Sequence, residues 1–188
     1  MMKNEVNKAG HVLKSGGTIL YPTDTIWGIG CDAEREESVQ IIYRIKQRAD
    51  FKSMLVLVDG LPMLERYVES IPVQAMEVLE TAGKPTTLIY PGARNLAKNL
   101  LAPDGSIGIR ITSDPFCRSL IQYTGFPIVS TSANISGEPS PQTFLQIKSS
   151  IREQVDHVVD WRRDEARPSN PSAIIKLEQD GSLTTIRP

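Results

Sequence analysis

The chain has 188 residues, with 21 Lys and Arg against 22 Asp and Glu and a formal net charge of -1; this suits one globular domain over residues 1–188 and argues against a dedicated duplex-DNA binder. Two cysteines, Cys31 and Cys117, form no Cys-x-x-Cys pair, and two histidines, His11 and His157, have no partner at metal-ligand spacing, so a disulfide framework, a zinc site and a Ser-His-Asp triad are all poorly supported. No apolar run approaches the roughly 20 residues of a membrane span, and the N-terminus lacks the apolar core of a signal peptide, so a cytoplasmic protein without a membrane role is expected.

In chain order, Val6, Ala9, Val12 and Leu13 predict a helix over Asn4 to Lys14 that stops at Gly16-Gly17. Thr18 to Tyr21 is a compact apolar run ended by Pro22, as in a buried strand, and PTDTIWGIGCDA after it reads as a loop. A helix is predicted from Glu36, with two acids in its first turn and Lys46 and Arg48 at its C-terminal end. Met54 to Val58 reads as a strand covered on both faces. Two proline-led helices over Pro62 to Glu69 and Pro72 to Thr81 follow. Further strands are predicted at Thr87 to Tyr90, Ile107 to Ile111, Ile128 to Ser130, Ala173 to Ile175 and Leu183 to Ile186, with helices at Asp114 to Tyr123 and Pro141 to Gln154. The mixture predicts an α/β domain, a single twisted mixed sheet flanked by helices. Arg162 to Pro171 is polar with two prolines and reads as a loop over a site.

Four segments at strand ends concentrate polar residues: 21–30, 45–53, 106–111 and 129–137. Lys46, Arg48 and Lys52 form a cationic cluster that suits a polyphosphate, or else a solvated helix end. The Ser130-Thr131-Ser132-Ala133-Asn134 run offers hydroxyls and an amide to phosphate or ribose oxygens, or caps a turn. Thr23, Asp24 and Thr25 could recognise a small polar ligand or form a plain turn. Gly28-Ile29-Gly30 lacks the third glycine of a dinucleotide fingerprint, and no phosphate-loop motif occurs. Arg110, between Ile109 and Ile111, either points to solvent or pairs with an anion such as a carboxylate.

In their order the blocks Pro22-Thr23-Asp24-Thr25-Ile26-Trp27-Gly28, Lys46-Gln47-Arg48 with Lys52, Pro85 to Gly92, Ile107 to Arg110, Ser132-Ala133-Asn134 with Ser136-Gly137 and Pro139-Ser140-Pro141, Pro171-Ser172 and Ile186-Arg187 span nearly the whole chain. Together they resemble the YrdC/Sua5 family of threonylcarbamoyl-AMP synthases, in its short single-domain form. Departures are Ala49 in place of a common proline, Trp27 in place of tyrosine, and the segment Trp161 to Asn170 with Arg162, Arg163 and Arg167 in place of a glycine-rich stretch.

The resemblance implies a YrdC-like fold and a nucleotidyltransferase that makes threonylcarbamoyl-AMP and pyrophosphate from L-threonine, bicarbonate or CO2, and ATP, for t6A modification of tRNA. It implies Lys46 and Arg48 as catalytic residues. They would hold ATP and its Mg2+ with Lys52, Ser106, Ser132, Asn134, Ser140 and Arg187, while Thr23, Arg110, Ser130 and Ser172 hold threonine, Arg110 taking the carboxylate. ATP is then a substrate, with no tightly bound cofactor and no resident metal. Proteins of the t6A transferase complex, and tRNA itself, are the implied partners. The alternative is an RNA-binding protein of the same fold without synthase activity, which the absence of a basic excess weakens. A carbamoyl-transfer domain of a hydrogenase-maturation protein is disfavoured by the two cysteines. On charge alone the 161–170 segment is either a lid or a self-paired surface loop.

Overall fold

A computed structural model describes residues 1–47, 54–165, 170–178 and 180–188. Among these, nine strands form one mixed sheet: β1 (Ile19–Tyr21), β2 (Gly28–Gly30), β3 (Leu55–Val58), β4 (Thr86–Tyr90), β5 (Ile107–Ile111), β6 (Ile128–Ser132), β7 (His157–Val158), β8 (Ala173–Leu177) and β9 (Leu183–Arg187). Their spatial order is β7-β1-β2-β6-β3-β5-β4-β8-β9. Pairings β1/β7, β3/β5 and β4/β8 are parallel and the others antiparallel, so the predicted mixed sheet is present.

The helices are α1 (Met2–Lys14), α2 (Glu36–Ile45), α3 (Leu61–Tyr67), α4 (Val73–Thr81), α5 (Pro115–Thr124) and α6 (Ser149–Arg152). Val6, Ala9 and Leu13 of α1 are buried, a spacing that puts them on one helical face, and α1 packs on α5 and β1. In α5 the sequence marks both ends. Asp114 caps the N-terminus by accepting from the Cys117 amide at 2.9 Å, Pro115 takes the first turn, and Gly125 closes the helix at φ 84°, in the left-handed region that glycine enters without strain. None of the helices is long and apolar enough to cross a membrane, among the described residues.

Two predicted elements are corrected. The loop expected over 22–33 contains β2, paired with both β1 and β6. Its glycines serve close packing: a Cβ at Gly30 would lie 2.7 Å from the Tyr21 ring and from the Val129 carbonyl oxygen. The helix expected over Pro141 to Gln154 is divided into a 3-10 turn, Phe144–Gln146, and the short α6, because Ile147 and Lys148 take extended ψ angles of 121° and 143°.

Alternation along the strands separates two faces of the sheet. Val56, Val129, Ile109 and Leu88 share one face and are buried core residues. The other carries the rows Arg187, Ile174, Thr87 and Lys176, Ile89, Gly108, with Arg110 on the same side of β5 as Gly108. These residues face a cavity.

Candidate functional site

The cavity has a volume of about 360 Å³. Met54, Leu55, Ile89, Ile107 and Ile174 give it an apolar wall, and Trp27 contributes an aromatic face backed by Phe144, whose ring centroid lies 4.8 Å away. Polar groups converge from separate loops: Thr25, Ser106, Arg110, Ser130, Thr131, Ser132, Ser140, Ser172, Lys176 and Arg187. An apolar pocket with a few convergent polar groups is the form a small-molecule site takes.

Arg110 is a buried cation at this cavity. It is 2% exposed and pairs through Nη2 with Asp24 Oδ1 at 2.9 Å, and it donates from the same nitrogen to Thr25 Oγ1 at 3.3 Å. Thr112 Oγ1 donates to the other Asp24 oxygen at 3.3 Å. The Arg110 Nε is buried and makes no hydrogen bond among the described residues. An unsatisfied donor on a buried cation is costly. The sequence-level choice between solvent and an anion is decided: Arg110 is buried and holds a carboxylate, that of Asp24.

Arg187 adds a second guanidinium, donating from Nε to the Ser172 carbonyl at 2.8 Å. Burial, and then the nearby Arg110 charge, hold its pKa below the usual arginine value. The Ser172 hydroxyl shares a 2.8 Å hydrogen bond with Thr87 Oγ1. Ser106 lines the cavity, donating to Asp104 Oδ1 at 2.6 Å. That hydroxyl, the Ser106 amide and Lys176 together hold the Asp104 carboxyl below its ordinary value.

Of the residues expected from sequence, Ser106, Arg110, Ser130, Ser132, Ser140, Ser172 and Arg187 therefore meet at one cavity. Three others lie elsewhere. Lys46 is 1% exposed, so the solvated helix end is excluded, but its ammonium donates to the Ser132 carbonyl at 2.5 Å and the Asn134 carbonyl at 2.7 Å; it ties α2 to the polar loop after β6. Asn134 spends its amide on the same loop, donating to the carbonyls of Ile135 and Glu138. Thr23 is buried, its hydroxyl donating to the Ile26 carbonyl at 2.7 Å and accepting from the Thr25 amide, so Thr25 faces the cavity in its place. Arg48 and Lys52 lie outside the described residues, as does Arg167. Sequence reasoning missed Thr87 and Lys176; the period-2 faces of β4 and β8 held the signal for both.

In the described part of the segment, 161–165, Arg162 pairs with Glu165 at 3.2 Å and Arg163 with Asp160 at 3.4 Å, as a self-paired loop would, and both arginines also reach outside it. Arg162 reaches back to Asp114 through Nη1 and to the Thr23 carbonyl through Nη2 at 2.7 Å. Arg163 donates to the carbonyls of Val158 and Val159 and lies over the Phe144 ring.

Residues 11–188 match the Sua5/YciO/YrdC family model, described as "Telomere recombination". The threonylcarbamoyl-AMP synthase of Pseudoalteromonas translucida is 34% identical over 151 residues, 79% of this chain and 81% of that protein. That of Stutzerimonas stutzeri is 30% identical over 184 residues, 97% of this chain and 96% of the relative. Among solved structures, E. coli YciO aligns with a TM-score of 0.85 at 25% identity, covering 100% of this chain and 89% of that one. P. abyssi Sua5 complexed with L-threonine shares the fold, with a TM-score of 0.85 at 23% identity; the match covers 97% of this chain but only 53% of Sua5.

Proposed function

The chain belongs to the Sua5/YciO/YrdC family, and from that membership we propose that residues 1–188 act as one domain, a threonylcarbamoyl-AMP synthase joining L-threonine, CO2 or bicarbonate, and ATP into threonylcarbamoyl-AMP and pyrophosphate. The observation that carries the choice of substrate is the buried Arg110 guanidinium facing a cavity beside the hydroxyls of Thr25, Ser130 and Ser172.

Threonine's amine adds to the carbon of CO2 and loses a proton, giving a carbamate. A carbamate oxygen then attacks the α-phosphorus of ATP, the bond to the bridging β-phosphate oxygen breaks, and pyrophosphate leaves with that electron pair. No protein nucleophile is needed. Catalysis rests on bringing the carbamate and α-phosphate together and on neutralising the charge that develops on the leaving group. Arg110 takes the threonine carboxylate. Ser130, Ser172 and Thr25 surround the side chain, and Thr23 shapes the loop that presents Thr25.

ATP enters as its Mg2+ complex along Ser106, Ser132, Ser140, Lys176 and Arg187, with the apolar wall receiving the base. Lys46 and Asn134 fix the loop against which the nucleotide rests, and Arg48 and Lys52 supply further charge to the triphosphate. The adenylate passes to proteins of a t6A transferase complex for transfer to tRNA, with direct tRNA contact at that step.

Incubation with ATP, bicarbonate and each amino acid in turn, followed by pyrophosphate release, tests the reading. Threonine is expected to be preferred over valine by at least about tenfold, because valine leaves buried hydroxyls unpaired. Equal turnover of the two overturns the threonine assignment.

A further inference from the structure

We infer that Arg162 is a positioning residue for threonine: without facing the cavity itself, its guanidinium clamps together the two segments that hold Arg110. Arg162 follows β7 and lies at φ 58°, in the left-handed region that a side-chain-bearing residue occupies only where its surroundings over-determine it. Those surroundings are polar. Nη1 donates to Asp114 Oδ2, and Nη2 donates to the Thr23 carbonyl at 2.7 Å.

Each contact leads to Arg110 by a separate route. Asp114 belongs to the turn between β5 and α5, where its amide donates to Thr112 Oγ1 at 3.2 Å and that hydroxyl donates to Asp24 Oδ2. Thr23 is tied to Thr25 by a hydroxyl pair at 3.0 Å and by the Thr25 amide. Asp24 and Thr25 are the two groups that accept from Arg110 Nη2. Arg162 thus joins the two ends of a chain of contacts that includes both acceptors of Arg110 Nη2. Loosening the clamp frees the 22–25 loop to shift, and Arg110 shifts with the carboxylate that orients it. A planar guanidinium serves both acceptors at once, whereas a lysine ammonium has no rigid fork to span them. Arg162 also pairs with Glu165 through Nε at 3.2 Å, but that carboxylate is largely exposed and contributes little.

The inference rests on the reading of Arg110 as the anchor for the threonine carboxylate, and the test separates the two. Threonine and ATP binding are measured separately by calorimetry, with steady-state kinetics and thermal melting, on the wild type, Arg162→Lys, Arg162→Ala and Glu165→Gln. Arg162→Lys is expected to weaken threonine binding about tenfold and raise the threonine KM to match, with ATP affinity and kcat changed less than about twofold. Arg162→Ala changes the same quantities further, and Glu165→Gln matches the wild type. If the alanine variant does not fold, Asp114→Asn severs the clamp from its other side while keeping an oxygen to cap α5. Wild-type threonine affinity in Arg162→Lys overturns the inference, as does a loss shared equally by threonine and ATP that tracks the melting temperature. Failure of the wild type itself to bind threonine overturns the underlying reading of Arg110 instead.

Discussion

Two stretches of the cavity wall handle charge in opposite ways. Around Arg110 the cation and its partner Asp24 are 2% and 7% exposed, and the buried Thr25 and Thr112 complete the network. Around Lys176 the cation is 34% exposed and its partners are distant, Glu178 at 3.5 Å and Asp104, itself 58% exposed, at 3.9 Å. The first arrangement suits an anchor that must sit in one place before substrate arrives, since burial holds the cation against Asp24 and Thr25. The second suits a charge that meets a mobile, multiply charged ligand and is otherwise satisfied by solvent. Substitutions in the buried network should therefore damage folding and function together, while those at the open stretch should change binding alone.

The strongest test of this contrast is Asp24→Ala, which leaves Arg110 buried without its counter-charge. Breaking such a pair from one side is expected to cost about 3–5 kcal/mol of stability, measured by chemical denaturation, with threonine-dependent pyrophosphate release lost as well. A loss below about 1 kcal/mol would place the pair among exposed ones and erase the difference between the two stretches.

Lys46 extends the buried side of the comparison to the loop after β6. Lys46→Met keeps the aliphatic stem and removes the donor to the Ser132 and Asn134 carbonyls. Leaving such acceptors unpaired is expected to cost about 1–3 kcal/mol, with a rise in the ATP KM as Ser132 loses its fixed position. A normal melting curve with a raised KM would show that the ammonium acts on the nucleotide directly and the loop holds itself.

What the sequence reveals divides along the same line. Strands β1 and β3 are short apolar runs bounded by glycine, proline or polar residues, and β5 alternates isoleucine with Gly108 and Arg110, so their existence follows from pattern, length and flanking residues. In β2 only Ile29 stands between two glycines; what makes it a strand is contact with Tyr21 and Val129, which no local rule exposes. The polar cavity residues sit at the ends of legible strands or in quoted motifs, and seven of those expected face one cavity. The network behind them was hidden, because Arg110 and Asp24 are 86 residues apart and Arg162 and Asp114 are 48 apart. Asp24 reads as a turn residue and Asp114 as a helix cap. Their second roles exist only once the sheet has brought β5 beside the loop after β1.

At the open stretch, Lys176→Ala is expected to leave stability within about 1 kcal/mol of the wild type, as for any exposed pair. Its effect should be a rise of a few-fold in the ATP KM that shrinks as salt rises from roughly 0.05 to 0.5 M, because solvent-exposed charges are screened over the Debye length. A salt-independent rise would mean that Lys176 is desolvated by the nucleotide and behaves like Arg110 after all.

The smallest effect concerns Asp104, whose carboxyl is held below its ordinary 3.8 chiefly by the Ser106 hydroxyl, then by the Ser106 amide and by the Lys176 charge. Hydrogen bonds of this kind favour the ionised form, so Asp104 keeps accepting from Ser106 as pH falls through the usual carboxylate range and yields only below it. Ser106→Ala removes the largest of the three contributions and should raise the Asp104 pKa towards 3.8, read from the pH dependence of its side-chain carboxyl resonance. Lys176→Ala should raise it by less, since a half-exposed ammonium 3.9 Å away is well screened. The reverse order, with Lys176→Ala moving the titration more than Ser106→Ala, would mean that charge rather than hydrogen bonding organises this stretch. The contrast with the Arg110 network would then be one of degree.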